Sequence, residues 1–239
     1  MSRLKEVSAV IMAAGKGKRM EELTEGKIPK PMLLVDGQAV VERVYDNLIK
    51  AGVDEIVLVI AETDLYTGNM LRTNTRIVSQ RVDIFPGTAK AAETGLRFVP
   101  YTPNRRVIVL NGDDSFLLDP RTIMDFVFDH EKKGRDCSLM VRPTIKGSNQ
   151  RERYLGEGDI VWDKNWEAKY IGVLIARYGW LDHFLPLVRR EEGGEYKITQ
   201  LFGLARQNSI IEQVLLSDEG QWNDFNRPSD LIMAESKLR

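Results

Sequence analysis

Two rhythms of hydrophobic and polar positions run along this chain. Val7 to Met12, Glu55 to Ile60 and Arg106 to Leu110 are apolar runs of strand length, the pattern of strands buried on both faces. Between the first two, Val40, Val41, Val44, Tyr45, Leu48 and Ile49 recur at spacings of three and four, and Gly52 follows. That spacing predicts a helix with a glycine stop. Thr88 to Phe98 carries a second helical pattern, ended by Pro100 and Pro103. Strand alternating with helix predicts right-handed crossovers and a mostly parallel sheet.

The second half is less regular. Cys137 to Val141 reads as a buried strand, whereas Arg142 to Asp159 has little apolar periodicity and reads as a long exposed loop. Tyr170 to Ile175 is another strand, Trp180 to Val188 and Lys197 to Gln207 are helical, Ile210 to Leu216 returns as a strand, and Pro228 to Leu238 is a closing helix. The fold class predicted is α/β: a doubly wound, mostly parallel (mixed) sheet with helices on both faces. Without repeats or a linker, residues 1–239 are expected to form a single domain.

Composition narrows the function. The 239 residues carry 34 Lys+Arg against 35 Asp+Glu, a net charge of −1, so no basic footprint for a nucleic acid exists. No apolar stretch approaches the ~18 residues of a membrane span. The run from Val7 to Ala14 superficially imitates a secretory signal, but it leads into Gly15-Lys16-Gly17-Lys18-Arg19 rather than a cleavage site. One cysteine, Cys137, allows no internal disulfide; a reducing, cytoplasmic location is the expectation. His130 and His183 lack partners at metal spacing, and the four tryptophans form no stacking array.

Three segments carry candidate chemistry. Ala13-Ala14-Gly15-Lys16-Gly17-Lys18-Arg19-Met20 follows the first strand; small residues let a backbone approach phosphate oxygens and basic side chains offset their charge. A tight strand-to-helix turn also wants glycine for purely structural reasons. The segment fails the P-loop, because Gly17-Lys18 is followed by Arg19, and fails the dinucleotide fingerprint, because Met20 stands where glycine is needed. In Lys27-Ile28-Pro29-Lys30-Pro31-Met32-Leu33, two prolines restrict the backbone that presents Lys30. Asn111-Gly112-Asp113-Asp114 puts carboxylates at the carboxyl end of a buried strand, where ligands of doubly wound sheets sit, although Asp113 as a plain helix cap is the alternative.

Taken together, Ala13 to Leu33 resembles the opening signature of the sugar-1-phosphate nucleotidyltransferases, the nucleotide-sugar pyrophosphorylases, written A-A-G-x-G-x-R-[LM]…P-K-P-[ML]. Phe85-Pro86-Gly87-Thr88-Ala89-Lys90-Ala91 is similar to their G-T-A-x-A, and Gln221-Trp222-Asn223-Asp224-Phe225-Asn226-Arg227-Pro228 resembles their W-x-D-[IV]-[ND]-T-P, with Arg227 in place of the usual Thr. Glu195-Tyr196-Lys197-Ile198-Thr199-Gln200 resembles the acceptor segment E-[YI]-x-[LI]-T-D. Tyr170-Ile171-Gly172 occupies the place of N-T-G, so the asparagine that contacts the sugar in many members is missing.

The resemblance implies a Rossmann-like nucleotidyltransferase fold and a Mg²⁺-dependent condensation of a nucleoside triphosphate with a sugar-1-phosphate, releasing pyrophosphate. It implies Mg²⁺ on Asp113 and Asp224, phosphates on the Ala13, Ala14, Gly15, Gly17 and Arg19 loop, and the acceptor phosphate on Lys30, with Lys164 beside it. Gln80, Gly87 and Thr88 would hold the base, and Gly172 and Glu195 the acceptor. A pyrimidine triphosphate, uridine or thymidine, suits a tight turn beside a glutamine. Two alternatives stay open: a cytidylyltransferase acting on a phospho-alcohol, and a non-catalytic nucleotide-sugar-binding protein. Monomer and homodimer are equally open.

Overall fold

The computed structural model describes residues 4, 6–15, 17, 20, 24, 28–64, 66–67, 75–145, 166–205, 209–215, 221, 225 and 227–238. β1 (Val7–Met12), β4 (Glu55–Ala61), β5 (Arg76–Gln80) and β6 (Arg106–Asn111) form the parallel half of a seven-stranded sheet ordered β5-β4-β1-β6-β8-β7-β9. In the other half, β8 (Trp166–Arg177) runs antiparallel to both β6 and β7 (Cys137–Ile145), and β9 (Ile211–Leu215) lies parallel to β7. Leu34–Val35 (β2) and Gln38–Ala39 (β3) form a separate small hairpin.

Helices cover both faces. Every residue of β1 is buried, which explains why its apolar run does not alternate. Alternate side chains of that strand feed two cores. Val7, Ala9 and Ile11 join one with α1 (Val40–Ala51), α3 (Pro120–Lys133) and Ala234 of α6 (Pro228–Leu238). Val10 and Met12 join the other with α2 (Thr88–Leu96), α4 (Tyr178–Phe184) and α5 (Gln200–Ala205). The register aligns Met12 with both Val59 and Asn111. The carboxyl ends of the central strands therefore open at one edge of the sheet.

Some elements differ from the pattern read in the sequence. The segment expected as loop from Arg142 is strand through Ile145, because it pairs with residues 166–169; residues 146–165 lie outside the description. Trp180–Val188 is broken, since Pro186 supplies no N–H to continue the α-helix and Leu185–Leu187 tightens to a 3₁₀ turn. The helix expected from Lys197 begins at Gln200. Upstream, Tyr196 and Ile198 spend their N–H groups on Pro86 and Thr88. β5 and α3 carry signals that the pattern reading passed over: Asp119 caps α3 through Thr122 N at 2.7 Å, with Pro120 in the first turn and Gly134 at the end.

No helix among the described residues is long and apolar enough to cross a membrane. His130 is core, with Nδ1 2.9 Å from Ser138 Oγ, both buried. Trp180 donates to Ser209 Oγ at 2.8 Å and packs in the α2-side core.

Cys137 is fully buried at the start of β7, and burial, reinforced by Asp136, pushes its thiol well up from the usual range. A thiol reagent is expected to leave the native protein untouched and to label it once unfolded. The unfolded thiol ionises above about pH 8.5 while the folded one does not. Stability from this group is thus complete below that pH and declines above it, by up to ~1.4 kcal/mol per pH unit. Denaturant melts of the wild type and Cys137→Ala between pH 7 and 10 measure the difference.

Candidate active site

Lys30 emerges at this edge from a 3₁₀ turn, Lys30–Met32, with Pro29 and Pro31 on either side of the lysine. The turn closes with Met32 N donating to Pro29 O at 2.8 Å. The Lys30 side chain is 8% exposed, and its Nζ meets Asp113 Oδ2 at 2.5 Å. Asp113, 25% exposed, follows β6. The ammonium also lies 5.6 Å from the ring centroid of Phe225, a cation–π distance. Phe225 is fully buried and packs edge-on against Phe116, with centroids 5.6 Å apart. Upstream, Gln221 docks by two hydrogen bonds to Asp119, the cap of α3. The C-terminal segment is in this way brought to the ion pair.

The glycine loop reaches the same pair. A Cβ on Gly17 would stand 3.0 Å from Lys30 Cβ, so the loop's backbone lies directly on the lysine stem. Ala13 and Ala14 are buried, one in each core, and Gly15 is exposed. What this stretch presents at the edge is backbone, as small residues permit. Arg19, Lys164 and Asp224 lie outside the described residues.

A second group is built around Gly87. Its φ of 107° suits glycine, and a Cβ there would stand 2.5 Å from Tyr196 O and 2.6 Å from Tyr196 N. Tyr196 N donates to Pro86 O and Ala89 N donates to Tyr196 O, both at 2.9 Å. Thr88 Oγ1 accepts from Ile198 N at 3.0 Å. Gln80, 2% exposed at the end of β5, donates its amide to Phe85 O at 2.7 Å and Gly87 O at 3.2 Å. Its nitrogen is thus engaged in shaping the loop. Glu195 is exposed at the start of the docked segment.

Gly172 sits where a side chain could not. With φ of 84°, a Cβ would meet Asn111 Nδ2 at 2.3 Å. That amide donates to Asp114 Oδ2 at 3.2 Å, linking β8 to the turn that carries Asp113. Tyr170 packs edge-on against Phe202, and burial pushes its hydroxyl up, so a neutral phenol stands two residues before Gly172. Phe225, Asn111 and Tyr196 stood inside the sequence motifs but were given no role there; the first lies next to Asp224 and the second two residues before Asp113.

Asp113 fits a hard divalent cation. It offers carboxylate oxygens, stays partly solvated, and already holds a positive charge in the form of the Lys30 ammonium. Among the described residues no group of three or more His, Cys, Asp or Glu stands ready to hold a metal, so further donors would come from outside them or from a ligand's own oxygens.

The carboxyl edge of the sheet's parallel half gathers a glycine turn, a buried lysine and a carboxylate, at the place where open α/β sheets hold their ligands. The chain belongs to the MobA-like NTP transferase domain family, whose sequence pattern matches residues 9–206. It is 28% identical over 226 residues to the bifunctional protein GlmU of Carboxydothermus hydrogenoformans, covering 89% of this chain and 48% of that one. Against the D-glycero-α-D-manno-heptose 1-phosphate guanylyltransferase of Aneurinibacillus thermoaerophilus it is 27% identical over 142 residues, 57% of this chain and 58% of that one. The chain spans about half the length of the curated relatives it matches. The fold is shared with a Bacillus anthracis structure described as a glucose-1-phosphate thymidylyltransferase in complex with a sucrose (TM-score 0.75, 17% identity, 96% and 94% of the two chains). It is shared also with a nucleotidyl transferase of Methanothermobacter thermautotroptrophicus (TM-score 0.67, 21% identity, 98% of each).

Gly87→Ala is expected to cost at least ~2 kcal/mol in a denaturant melt, since the methyl must both adopt a strained φ and displace the Tyr196 backbone.

Proposed function

We propose that the chain transfers a nucleotidyl group from a nucleoside triphosphate to a sugar-1-phosphate, with pyrophosphate as the leaving product. The observation that carries this is the Lys30–Asp113 pair at the carboxyl edge, in a chain of the NTP transferase family. Relatives named as guanylyltransferases of mannose-1-phosphate and heptose-1-phosphate support a sugar-phosphate acceptor.

In the proposed reaction an oxygen of the acceptor phosphate attacks the α-phosphorus, and the bond to the α,β-bridging oxygen breaks as pyrophosphate leaves. The attacking phosphate is already anionic, so no general base is required. The work left to the protein is holding two polyanions in line and offsetting charge. Backbone N–H groups of Gly15 and Gly17, with Arg19, would hold the triphosphate. Lys30, freed from Asp113, would bind a phosphate oxygen of the acceptor, with Lys164 as its companion. Asp113 and Asp224 would hold Mg²⁺, which when bound neutralises phosphate charge. The position of Phe225 against Lys30 supports placing its neighbour Asp224 there. The Gly87–Thr88 loop would receive the base and the Glu195–Ile198 segment, with Gly172, the acceptor. Tyr170 in the asparagine's place favours one second reading, a cytidylyltransferase acting on a phospho-alcohol.

Pyrophosphate release measured across the four nucleoside triphosphates and a panel of sugar-1-phosphates and phospho-alcohols tests the proposal. Turnover with uridine or thymidine triphosphate and a sugar-1-phosphate is expected; release only with cytidine triphosphate and a phospho-alcohol supports the second reading. Lys30→Ala is expected to lower turnover at least tenfold. Asp113→Asn and Asp224→Asn are each expected to remove several kcal/mol of transition-state stabilisation, and the double variant little more, because both act through one ion.

A further inference from the structure

The segment 195–198 is tied to the loop before α2 by backbone and by side chain. Tyr196 exchanges hydrogen bonds with Pro86 and Ala89, and its ring lies under the Lys90 ammonium, 5.1 Å from the centroid. These contacts do not depend on the side chain at 88. The Ile198 N–H does: it donates to Thr88 Oγ1 at 3.0 Å, and Ile198 is 3% exposed. A buried N–H stripped of its acceptor bears its whole desolvation cost, so the path of the chain at 198 depends on one hydroxyl. Thr88 directly follows Gly87, whose carbonyl Gln80 anchors.

We infer that Thr88 is a positioning residue that couples the two substrate subsites, transmitting occupation of the 85–88 loop by the nucleotide to the 195–198 segment that meets the acceptor. The inference rests on the functional reading above, which places the base on one side of Thr88 and the acceptor on the other. Coupling of this kind is reciprocal: whatever affinity the nucleotide adds for the acceptor, the acceptor returns to the nucleotide.

Thr88→Val keeps the shape and removes the oxygen, Thr88→Ser keeps the oxygen, and Thr88→Ala replaces the valine variant should that one melt below the assay temperature. The readouts are KM for each substrate of the active pair, kcat, and amide exchange at residues 196–198 with and without uridine triphosphate. In Thr88→Val the acceptor KM is expected to rise about fivefold, the equivalent of one hydrogen bond. The triphosphate KM measured at saturating acceptor should rise by a similar factor, as reciprocity requires, the Ile198 amide should exchange faster, and uridine triphosphate should no longer protect residues 196–198. Thr88→Ser should restore all of these. A rise in triphosphate KM alone would make the hydroxyl a nucleotide contact and overturn the inference, as would an unchanged acceptor KM in an active enzyme. A wild type that turns over no pair would overturn the functional reading, and the inference with it.

Discussion

A lysine ammonium and a carboxylate 83 positions apart meet at 2.5 Å on the carboxyl edge of the sheet, and four parts of the chain converge on that meeting. A lysine 8% exposed requires a counter-charge, which Asp113 supplies from the end of β6. The prolines around Lys30 fix the direction of approach, the Gly17 backbone packs on its stem, and the Phe225 ring closes over its head. The pair therefore sets where the glycine loop, the strand end and the C-terminal segment stand relative to one another. It also keeps a cation and an anion in the region where a polyanionic substrate would need both a positive ligand and a metal-binding carboxylate. In the proposed reaction a phosphate oxygen would take Asp113's place beside the ammonium, one charged oxygen acceptor for another.

The other half of the proposed site depends on close backbone approach instead of charge. The missing side chain at Gly87 allows Tyr196 to hydrogen-bond on both sides of it, and Gln80 holds the loop from beneath. Residues far apart in sequence thereby form one surface.

The parallel strands β1, β4 and β6 were legible because strands buried on both faces read as uninterrupted apolar runs, as Val7–Met12 shows; the partly exposed β5 gave no such run. The α1 helix was legible because its buried Val40, Val41, Val44 and Leu48 fall on one face. Less regular elements depend on partners remote in sequence. Arg142–Ile145 is strand because residues 166–169 pair with it, and the chain ahead of Gln200 follows Tyr196, whose N–H and C=O are both held by the remote residues Pro86 and Ala89. In the site, Lys30 and Asp113 were visible as a proline-flanked lysine and a strand-end carboxylate. Their direct pairing was not, because no spacing rule links residues 30 and 113. Phe225 was hidden for the same reason: an aromatic residue beside an aspartate carries no mark of the cation it will cover. Gln80 was singled out only through the family resemblance, and its hold on Phe85 and Gly87 requires knowing how the loop folds back.

The central claim is that the Lys30–Asp113 pair opens to receive substrate, its two charges passing to a phosphate and a divalent cation. A crystal structure with Mg²⁺ and a non-hydrolysable nucleoside triphosphate tests it most directly. The account predicts Mg²⁺ within ~2.1 Å of an Asp113 oxygen, an Asp224 oxygen on the same ion, and Lys30 Nζ released from Asp113. An intact Lys30–Asp113 pair with the nucleotide and metal bound elsewhere, or carboxylates of Asp113 and Asp224 more than about 8 Å apart, well beyond the reach of two such bonds, would contradict it.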